Sequence, residues 1–581
     1  MKHTKCYIPE YPRPQLVRKD WVNLNGQWAF GFEDVKPADA LSGNLPLKIN
    51  VPFVYETQLS GIHDEKHHST VWYSKVISGK KGKRTIINFD GADYITTVYV
   101  NGKKVGAHEG AYARFSFDIT KYLTKAENVL TVRCDDDNHP SRVRGKQRWE
   151  EQNFGCWYVQ TTGIYKSVWL EYVSKTHLKT LKITPSFNDF SVRFDSEVEN
   201  FGEGVEVRYD ISYNGKHVQS AVVSACDIDS SVTVRLDSAK LTYQTEHWSV
   251  GNPALYDVDV TVLCDGKVCD TVGSYFGLRE YRAEDGKLLL NNIPFYARLA
   301  LDQGYWPESG ITPPSEEAII KDIDLCKQMG FNGVRKHQKV EDERFFYYAD
   351  IMGFTVWCEL PSNHWASDSA SQNITREWME IVRQNYNHPS LVTWVIFNES
   401  WGVRNIYLNE AQKNLATGLY YLTKAFDTMR PVISNDGWVH AKSDILTLHH
   451  YEQNGDKLYS FYDDIIKLVE GDAGNSQHLP YAQGYEYEGQ PIIMSEFGGT
   501  AYVRDAENGC WGYGVGVKND EEYLNRFASL IDAIEKMNIS GYCYTQVTDV
   551  EQEVNGLLLP DRTPKVSVEE IAKRNRNNLI K

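Results

Sequence analysis

Eight short apolar runs in the C-terminal half of the chain alternate with stretches of helical period. The runs are YARLALD, GVRK, TVWCEL, VTWVIFNE, VISND, LTLHHY, IIMSEFG and GYCYTQV. Most segments between them, such as SEEAIIKDIDLCKQMG, place apolar residues three and four positions apart, which is typical of amphipathic helices. Eight strand–helix units in roughly three hundred residues predict a (β/α)₈ TIM barrel, which we assign to residues 277–581.

The first 276 residues show a different pattern, in which short runs alternate apolar and polar residues. Asn-Gly and Asp-Gly turns bound several of these runs, as in ITTVYVNGKKVG and LYDVDVTVLCDGKVCDTV. This combination is typical of antiparallel strands in β-sandwiches. We predict one sandwich over residues 1–174 and an immunoglobulin-like β-sandwich over residues 175–276, because about a hundred residues of this kind suit that fold. The predicted fold class is therefore multidomain, β followed by α/β.

Charge and hydropathy exclude several classes of partner. The net charge of −16 opposes binding to nucleic acid, whose phosphates are also negative. The N-terminus lacks the apolar core of a signal peptide, and no stretch is apolar for long enough to span a bilayer. We therefore expect a cytoplasmic protein without a membrane partner. The ten cysteines are scattered, so we expect reduced thiols packed as small apolar groups.

Polar residues end most of the predicted barrel strands, where the catalytic groups of such barrels lie. They are Asp302, Lys336, Glu359, Asn398, Glu399, Asp436, Tyr451, Glu496 and Gln546. Polar residues also follow strands simply because loops are polar. The two glutamates Glu399 and Glu496 differ, because each follows a strongly apolar run and one further polar residue. Such carboxylates are expected at the rim of a dry core.

Two carboxyl groups across a barrel suit the cleavage of a glycosidic bond, which needs one acid and one nucleophile or base. A gap of about 5 Å gives retention of anomeric configuration, whereas roughly 6.5–9.5 Å leaves room for water and gives inversion. The sequence leaves this gap open. Because the acid must be protonated near neutral pH, we expect one of the two pKa values to be raised.

The whole chain resembles glycoside hydrolase family 2, which includes β-galactosidases and β-glucuronidases. The resemblance rests on FDGADYITTVYVNGKKVGAHEGAYARFSFDIT, TTGIYKSVWLE, NPALYDVDVTV, MGFNGVRKH, VWCELP, NHPSLVTWVIFNES and IIMSEFGG. It implies a jelly-roll, sugar-binding-like first domain, then the immunoglobulin-like domain and the catalytic barrel. It further implies that Glu399 is the acid/base, Glu496 the nucleophile, Asn398 the contact for the sugar 2-hydroxyl, and Tyr451 a hydroxyl that orients the nucleophile.

Departures from the family pattern bear on the substrate. β-Glucuronidases carry an Asn-x-Lys element that holds the substrate carboxylate, and this chain has Glu553, Val554 and Asn555 there. We expect this change to repel a uronate. A first-domain aspartate of the glucuronidases is replaced around Trp157. The histidine that helps to bind magnesium in some β-galactosidases is missing from NESWGV, so we expect no metal and no cofactor.

Further residues are candidates for contact with the sugar. Asp302, Gln303 and Trp306 follow the first barrel strand, although Asp302 and Trp306 equally suit a loop that they tether themselves. His337 stands where many family members have a Ser-His-Tyr-Pro element, and its role stays open. The remaining stacking candidates are Trp157, Trp401 and Tyr544. His449 and His450 are adjacent, and strand alternation argues against a shared metal site.

From these residues we predict a retaining exo-β-glycosidase that hydrolyses a terminal β-linked sugar by double displacement and is most similar to β-galactosidases. A β-glucuronidase, or another β-glycosidase acting on arabinosides or mannosides, is the alternative within the family. The alternative of another class is a carbohydrate-binding protein on an inactive hydrolase scaffold. The expected partner is a carbohydrate, and a homo-oligomer is compatible with the sequence.

Overall fold

The first domain is a sandwich of antiparallel sheets. The structure, a computed structural model, describes residues 2–236, 245–465, 479–502 and 509–576. One sheet contains Trp21–Asn23, Val168–Val173, Arg84–Phe89 and Phe115–Asp118. The other contains Leu47–Val51, Gly26–Phe32, Thr70–Ile77, Asn128–Asp135, Ile95–Val100 and Lys103–Glu109. Their inward-facing residues form one apolar core, which includes Phe30, Val132 and Leu170.

The second domain is a smaller sandwich with its own apolar core. One sheet contains His177–Ser186, Ser191–Glu199 and Asp229–Arg235. The other contains Lys216–Ser224, Val205–Tyr213, Tyr256–Cys264 and Lys267–Phe276.

One pair of cysteines contradicts the expectation of reduced thiols. A disulfide joins Cys264 to Cys269, whose Cα atoms lie 6.2 Å apart. The two residues flank the turn of a hairpin, and a register shift after Val262 places them within bonding distance. The signal was present in the sequence as two cysteines on either side of an Asp-Gly turn.

The barrel contains eight parallel strands. They are β1 (Ala297–Asp302), β2 (Gly333–Lys336), β3 (Thr355–Glu359), β4 (Leu391–Asn398), β5 (Val432–Asp436), β6 (Leu446–His450), β7 (Ile492–Gly498) and β8 (Gly541–Thr545). Neighbours in sequence are neighbours in the sheet, which is closed except between β5 and β6. The predicted (β/α)₈ barrel behind two β-sandwiches is therefore confirmed.

Helices pack outside the barrel strands. They are α1 (Glu316–Gln328), α2 (Glu343–Met352), α3 (Asp368–Asn385), α4 (Glu410–Phe426), α5 (Gly455–Phe461), α6 (Asp520–Lys536) and α7 (Val568–Arg576). Capping side chains fix several starts, as where Ser315 accepts a hydrogen bond from the Ala318 N–H. Within the described ranges, no helix is both long and apolar enough to cross a membrane.

A loop of the first domain reaches the mouth of the barrel. The backbone N–H groups of Arg144 and Gly145 donate to the Ser362 carbonyl, at 3.1 and 3.0 Å. Gly145 has a φ of +62°, and a Cβ atom there would lie 2.3 Å from the Gln338 carbonyl oxygen. Only glycine fits this close approach. The loop thereby carries the next residue, Lys146, over the barrel strands.

We expect Gly145→Ala to lower the melting temperature more than Gly102→Ala. Both glycines have a left-handed φ, which costs an alanine roughly 1–2 kcal/mol. A Cβ on Gly102 meets no atom within 4 Å, whereas one on Gly145 overlaps the barrel backbone. Thermal unfolding of the two variants tests this. Equal losses would show that the loop moves away without cost.

Candidate active site

The two glutamates predicted from the sequence lie at the same end of the barrel, where the strands reach their C-termini. Glu399 directly follows β4 and has a φ of +49°, a strained conformation for a residue with a side chain. Its N–H donates to the Asp436 carbonyl at 3.0 Å, which holds this turn against β5. Glu496 lies in β7 where the ladders to both neighbouring strands are irregular. Such bulges redirect a side chain, and here the carboxylate enters the barrel.

The two carboxylates lie close together. One oxygen of Glu399, one oxygen of Glu496 and one ring nitrogen of His449 all lie within 4.8 Å of one another. This spacing suits a retaining mechanism, in which the carboxyl groups lie about 5 Å apart.

Arg335, at the end of β2, binds groups from four other strands. Its guanidinium donates to Glu359 at 2.6 Å, Glu496 at 3.0 Å and the Asn398 side-chain oxygen at 2.7 Å. It also pairs with Asp436 at 2.6 Å. Burial alone would raise the pKa of Glu359, but the guanidinium lowers it to about 2. The arginine therefore neutralises carboxylates that have no access to water.

His449, on β6, is a site residue that was not predicted from the sequence. Its Nδ1 lies 2.8 Å from Glu399 and its Nε2 lies 2.7 Å from Asp436 and 3.5 Å from Glu496. Burial opposes a charge here, but these three carboxylates raise the pKa of His449 to about 10. The residue is therefore an imidazolium at neutral pH. Strand alternation predicts that His449 and His450 point to opposite faces of the strand, but it does not show which groups each side chain contacts.

The expectation of a raised pKa for the acid is wrong. Burial of Glu399 acts to raise its pKa, but the hydrogen bond and the charge of His449 dominate and lower it. Lys146 and His337 act in the same direction. Repulsion between two carboxylates acts to raise a pKa, but distant segments place cations beside Glu399, and local sequence does not reveal them.

Tyr451 and Asn398, the two further residues that the family resemblance singles out, line the pocket beside the glutamates. The Tyr451 hydroxyl donates to Glu496 and lies 3.3 Å from the Thr545 hydroxyl. Its ring stacks on Tyr513 with centroids 3.4 Å apart. Burial and the Glu496 charge raise the pKa of Tyr451 well above its usual value, so it remains a donor. The side-chain nitrogen of Asn398 has no hydrogen-bond partner among the described residues.

A small pocket lies over the two glutamates. Its lining residues are Lys146, Cys156, Leu301, Gln303, His337, Asn398, Glu399, Trp401, Tyr451, Glu496, Tyr513, Thr545 and Glu553. Most of the predicted site residues are therefore brought together. Lys146 and Tyr513 were not predicted, because neither belongs to a barrel strand and nothing in the local pattern distinguishes it.

Four predicted contacts do not line this pocket, namely Asp302, Trp157, Trp306 and Tyr544. Asp302 forms a buried ion pair with Lys336 at 2.5 Å. Trp157 lies beside the pocket residue Trp401, with ring centroids 5.4 Å apart.

Trp306 and Tyr544 lie farther from the chemistry. Trp306 lines a separate cleft between the first domain and the barrel, under the Arg562 guanidinium. Tyr544 is fully buried in β8, where its ring packs on Phe497 and Phe527. Strand alternation does not separate a residue at the pocket from one that points into the layer of helices.

The cluster of Glu399, His449 and Glu496 contains three residue types that bind metals. Both ring nitrogens of His449 face carboxylates, however, and its raised pKa keeps it protonated. A metal ligand must be the neutral imidazole. The histidine therefore acts as the cation of this cluster.

Three family models match consecutive parts of the chain. The glycosyl hydrolases family 2 TIM barrel domain matches residues 282–579, and the glycosyl hydrolases family 2 model matches residues 176–279. The glycosyl hydrolase 2 galactose-binding domain-like model matches residues 48–169.

Curated relatives carry two different names. A β-galactosidase of Thermoanaerobacter pseudethanolicus is 28% identical over 68% of this chain and 54% of its own length. A β-glucuronidase of Streptococcus agalactiae is 24% identical over 97% of both chains. The chain spans about half the length of several of the curated relatives it matches.

A similar fold is found in a GH2 β-galacturonidase from Eisenbergiella tayi bound to galacturonate. The two chains superpose with a TM-score of 0.77 at 19% identity, over 97% of this chain and 99% of that one. A putative β-galactosidase from Bacteroides fragilis gives a TM-score of 0.76 at 21% identity, over 97% of this chain and 86% of that one. At these identities the likeness concerns the fold.

The charge on His449 predicts a pH-dependent stability. Since the folded-state pKa is raised from 6.5 to about 10, its stabilisation is complete below pH 6.5 and is lost as the pH rises through 10. We expect the melting temperature of His449→Gln to fall furthest below wild type near pH 6, and this difference to shrink toward pH 10.

The adjacent His450 provides the matched control. Burial lowers its pKa, and its ring binds the Tyr462 hydroxyl at 3.0 Å. The effect of His450→Gln should therefore not change between pH 6.5 and 10. A constant difference for His449→Gln as well would show that His449 is neutral.

Proposed function

From the premise that the chain belongs to glycosyl hydrolase family 2, we propose that it is a retaining exo-β-glycosidase acting on terminal β-galactosides. The observation that carries the proposal is the spacing of Glu399 and Glu496, whose nearest oxygens lie within 4.8 Å at the ends of β4 and β7. Two carboxyl groups this close act by double displacement.

In the first step Glu496 attacks the anomeric carbon and forms a glycosyl ester, while Glu399 gives a proton to the departing oxygen. Arg335 and Tyr451 each bind one oxygen of Glu496, which orients the nucleophile. In the second step Glu399 takes a proton from water, the water oxygen bonds to the anomeric carbon, and the ester bond breaks. The sugar leaves with its original configuration.

Two further groups favour this chemistry. Arg335 holds the side-chain oxygen of Asn398, so the unpartnered nitrogen is presented to the sugar 2-hydroxyl. A contact at that hydroxyl strengthens as the transition state forms. His449 holds Glu399 beside the sugar, and because it lowers the pKa of Glu399, it favours the carboxylate form that takes the proton from water in the second step.

The pocket favours the removal of single sugars. The first-domain residues Lys146 and Cys156 line it together with barrel residues. They narrow the opening of the pocket on the side of the first domain, which suits a single terminal sugar. Trp401 and Tyr513 offer ring faces for the apolar side of a sugar. An inactive carbohydrate-binding protein would not need Glu399, Glu496 and their supporting charges in this arrangement.

A neutral sugar is favoured by Glu553, which lines the pocket and is 3% exposed. Its carboxylate accepts hydrogen bonds from Tyr158 and Asn555 and would repel a uronate. β-Glucuronides are the second candidate, because the Streptococcus relative that matches along the whole chain is named a β-glucuronidase.

The cytoplasmic location, the homo-oligomer, the domain limits and the lack of a cofactor stay predictions from the sequence.

Hydrolysis of p-nitrophenyl β-galactoside, followed by proton NMR, tests the proposal. We expect β-galactose to appear first and then to mutarotate. Glu496→Gln should lower kcat by at least about 10⁴-fold, because it removes the nucleophile and preserves its shape. Initial release of α-galactose would contradict the double displacement.

Glu399→Ala separates the two roles. Since it removes proton donation, its loss in rate should be small for dinitrophenyl and large for methyl β-galactoside. Azide should restore turnover and give the β-galactosyl azide. Equal losses with good and poor leaving groups would show that Glu399 is not the acid.

A further inference from the structure

The sugar pocket contains a buried lysine that comes from the first domain. Lys146 is 6% exposed and lines the pocket beside the two glutamates. Its Nζ lies 5.0 Å from the centroid of the Trp401 ring, and the Cys156 thiol is its other near neighbour. Within the described part of the chain, no carboxylate forms an ion pair with this ammonium group, although Glu553 and Glu496 are close enough to raise its pKa.

A rigidly held carboxylate lines the same pocket. One oxygen of Glu553 accepts from the Tyr158 hydroxyl and the other from Asn555 at 3.0 Å. Gln546 in turn donates to Asn555 at 2.6 Å, and Gln303 donates to Gln546 at 2.6 Å. Both carboxylate oxygens of Glu553 are therefore held by hydrogen bonds within the protein, and this chain of buried amides orients them.

Backbone groups hold the loop that carries Lys146. Backbone hydrogen bonds from Arg144 and Gly145 to Ser362 attach the loop to the barrel, and the Tyr158 N–H donates to the Lys146 carbonyl at 2.8 Å. A buried ammonium group without an oxygen acceptor is costly. Its position is therefore better explained by a ligand than by packing.

A donor and an acceptor that line one pocket and do not pair with each other suit a ligand group that both accepts and donates. A hydroxyl can accept from an ammonium group and donate to a carboxylate, whereas the carboxylate of a uronate only accepts. We propose that Lys146 and Glu553 form a clasp, built by two domains, that binds a hydroxyl of a neutral terminal sugar and rejects uronates. The clasp rests on the proposed function, whose terminal sugar it selects.

The test pairs variants with sugars that lack single hydroxyls. The variants are Lys146→Met and Glu553→Gln, and the sugars are p-nitrophenyl β-galactoside and its 3-, 4- and 6-deoxy forms. With the parent sugar, we expect each variant to lose roughly tenfold to a hundredfold in kcat/KM, the range for hydrogen bonds to charged groups. With one of the deoxy sugars the loss should nearly vanish, and the double variant should lose less than the product of the two.

Lys166→Met is the matched control. Lys166 is also a buried lysine of the first domain, but it donates to the Glu341 carbonyl at 3.2 Å and does not line the pocket. Any loss it causes should be the same for the parent and the deoxy sugars. The same result for Lys146→Met would reduce Lys146 to a packing residue and overturn the clasp.

A comparison with uronides shows whether Lys146 binds a hydroxyl of a neutral sugar or the carboxylate of a uronide. Wild type should prefer p-nitrophenyl β-galactoside to the β-glucuronide and the β-galacturonide, and Glu553→Gln should narrow that preference. Preference of wild type for a uronide, lost in Lys146→Met, would overturn the clasp and make Lys146 the partner of a substrate carboxylate.

Calorimetric titration with free galactose and its deoxy forms distinguishes failure of the clasp from failure of the proposed function. The clasp predicts that Lys146→Met weakens the binding of galactose but not of one deoxy sugar, whether or not turnover occurs. Binding with this selectivity in the absence of hydrolysis would overturn the glycosidase proposal alone. Hydrolysis without the selectivity would overturn the clasp alone.

Discussion

The buried guanidinium of Arg335 is the interaction on which the rest of the site depends. It joins Glu359 on β3, Asn398 on β4, Asp436 on β5 and Glu496 on β7 within one set of hydrogen bonds. Removing one partner of such a network leaves a charge that neither water nor protein neutralises, which is why these groups stabilise the site only together. The spacing of the strands and the orientation of Asn398 and Glu496 therefore have a common origin.

A second cation lets the two glutamates stand close. Two carboxylates within 4.8 Å repel each other, and the imidazolium of His449 lies between them while Asp436 holds its other nitrogen. Each part of the apparatus thus comes from a different strand end, and the first domain adds Lys146 above it. A single barrel strand carries too few groups for this balance of charge. The convergence of several strand ends in the barrel supplies them.

Part of this arrangement follows from the sequence. Periodicity predicts the barrel, and the apolar runs before Glu399 and Glu496 single them out, because strand ends converge in that fold. Periodicity indicates which face of a strand a side chain lies on, but not its distance from side chains of other strands. It therefore did not show that His449 reaches both glutamates or that Tyr544 is buried among aromatic rings. It gives no information on Lys146, whose position depends on a loop from another domain.

The most direct test of the account is to trap the glycosyl-enzyme. Dinitrophenyl 2-deoxy-2-fluoro-β-galactoside slows both steps, and its good leaving group lets the first proceed without full acid catalysis. After digestion, mass spectrometry should find the fluorosugar on the peptide that contains Glu496, and no adduct in Glu496→Gln. An adduct on Glu399, or none while β-galactosides are hydrolysed, would contradict the assigned roles.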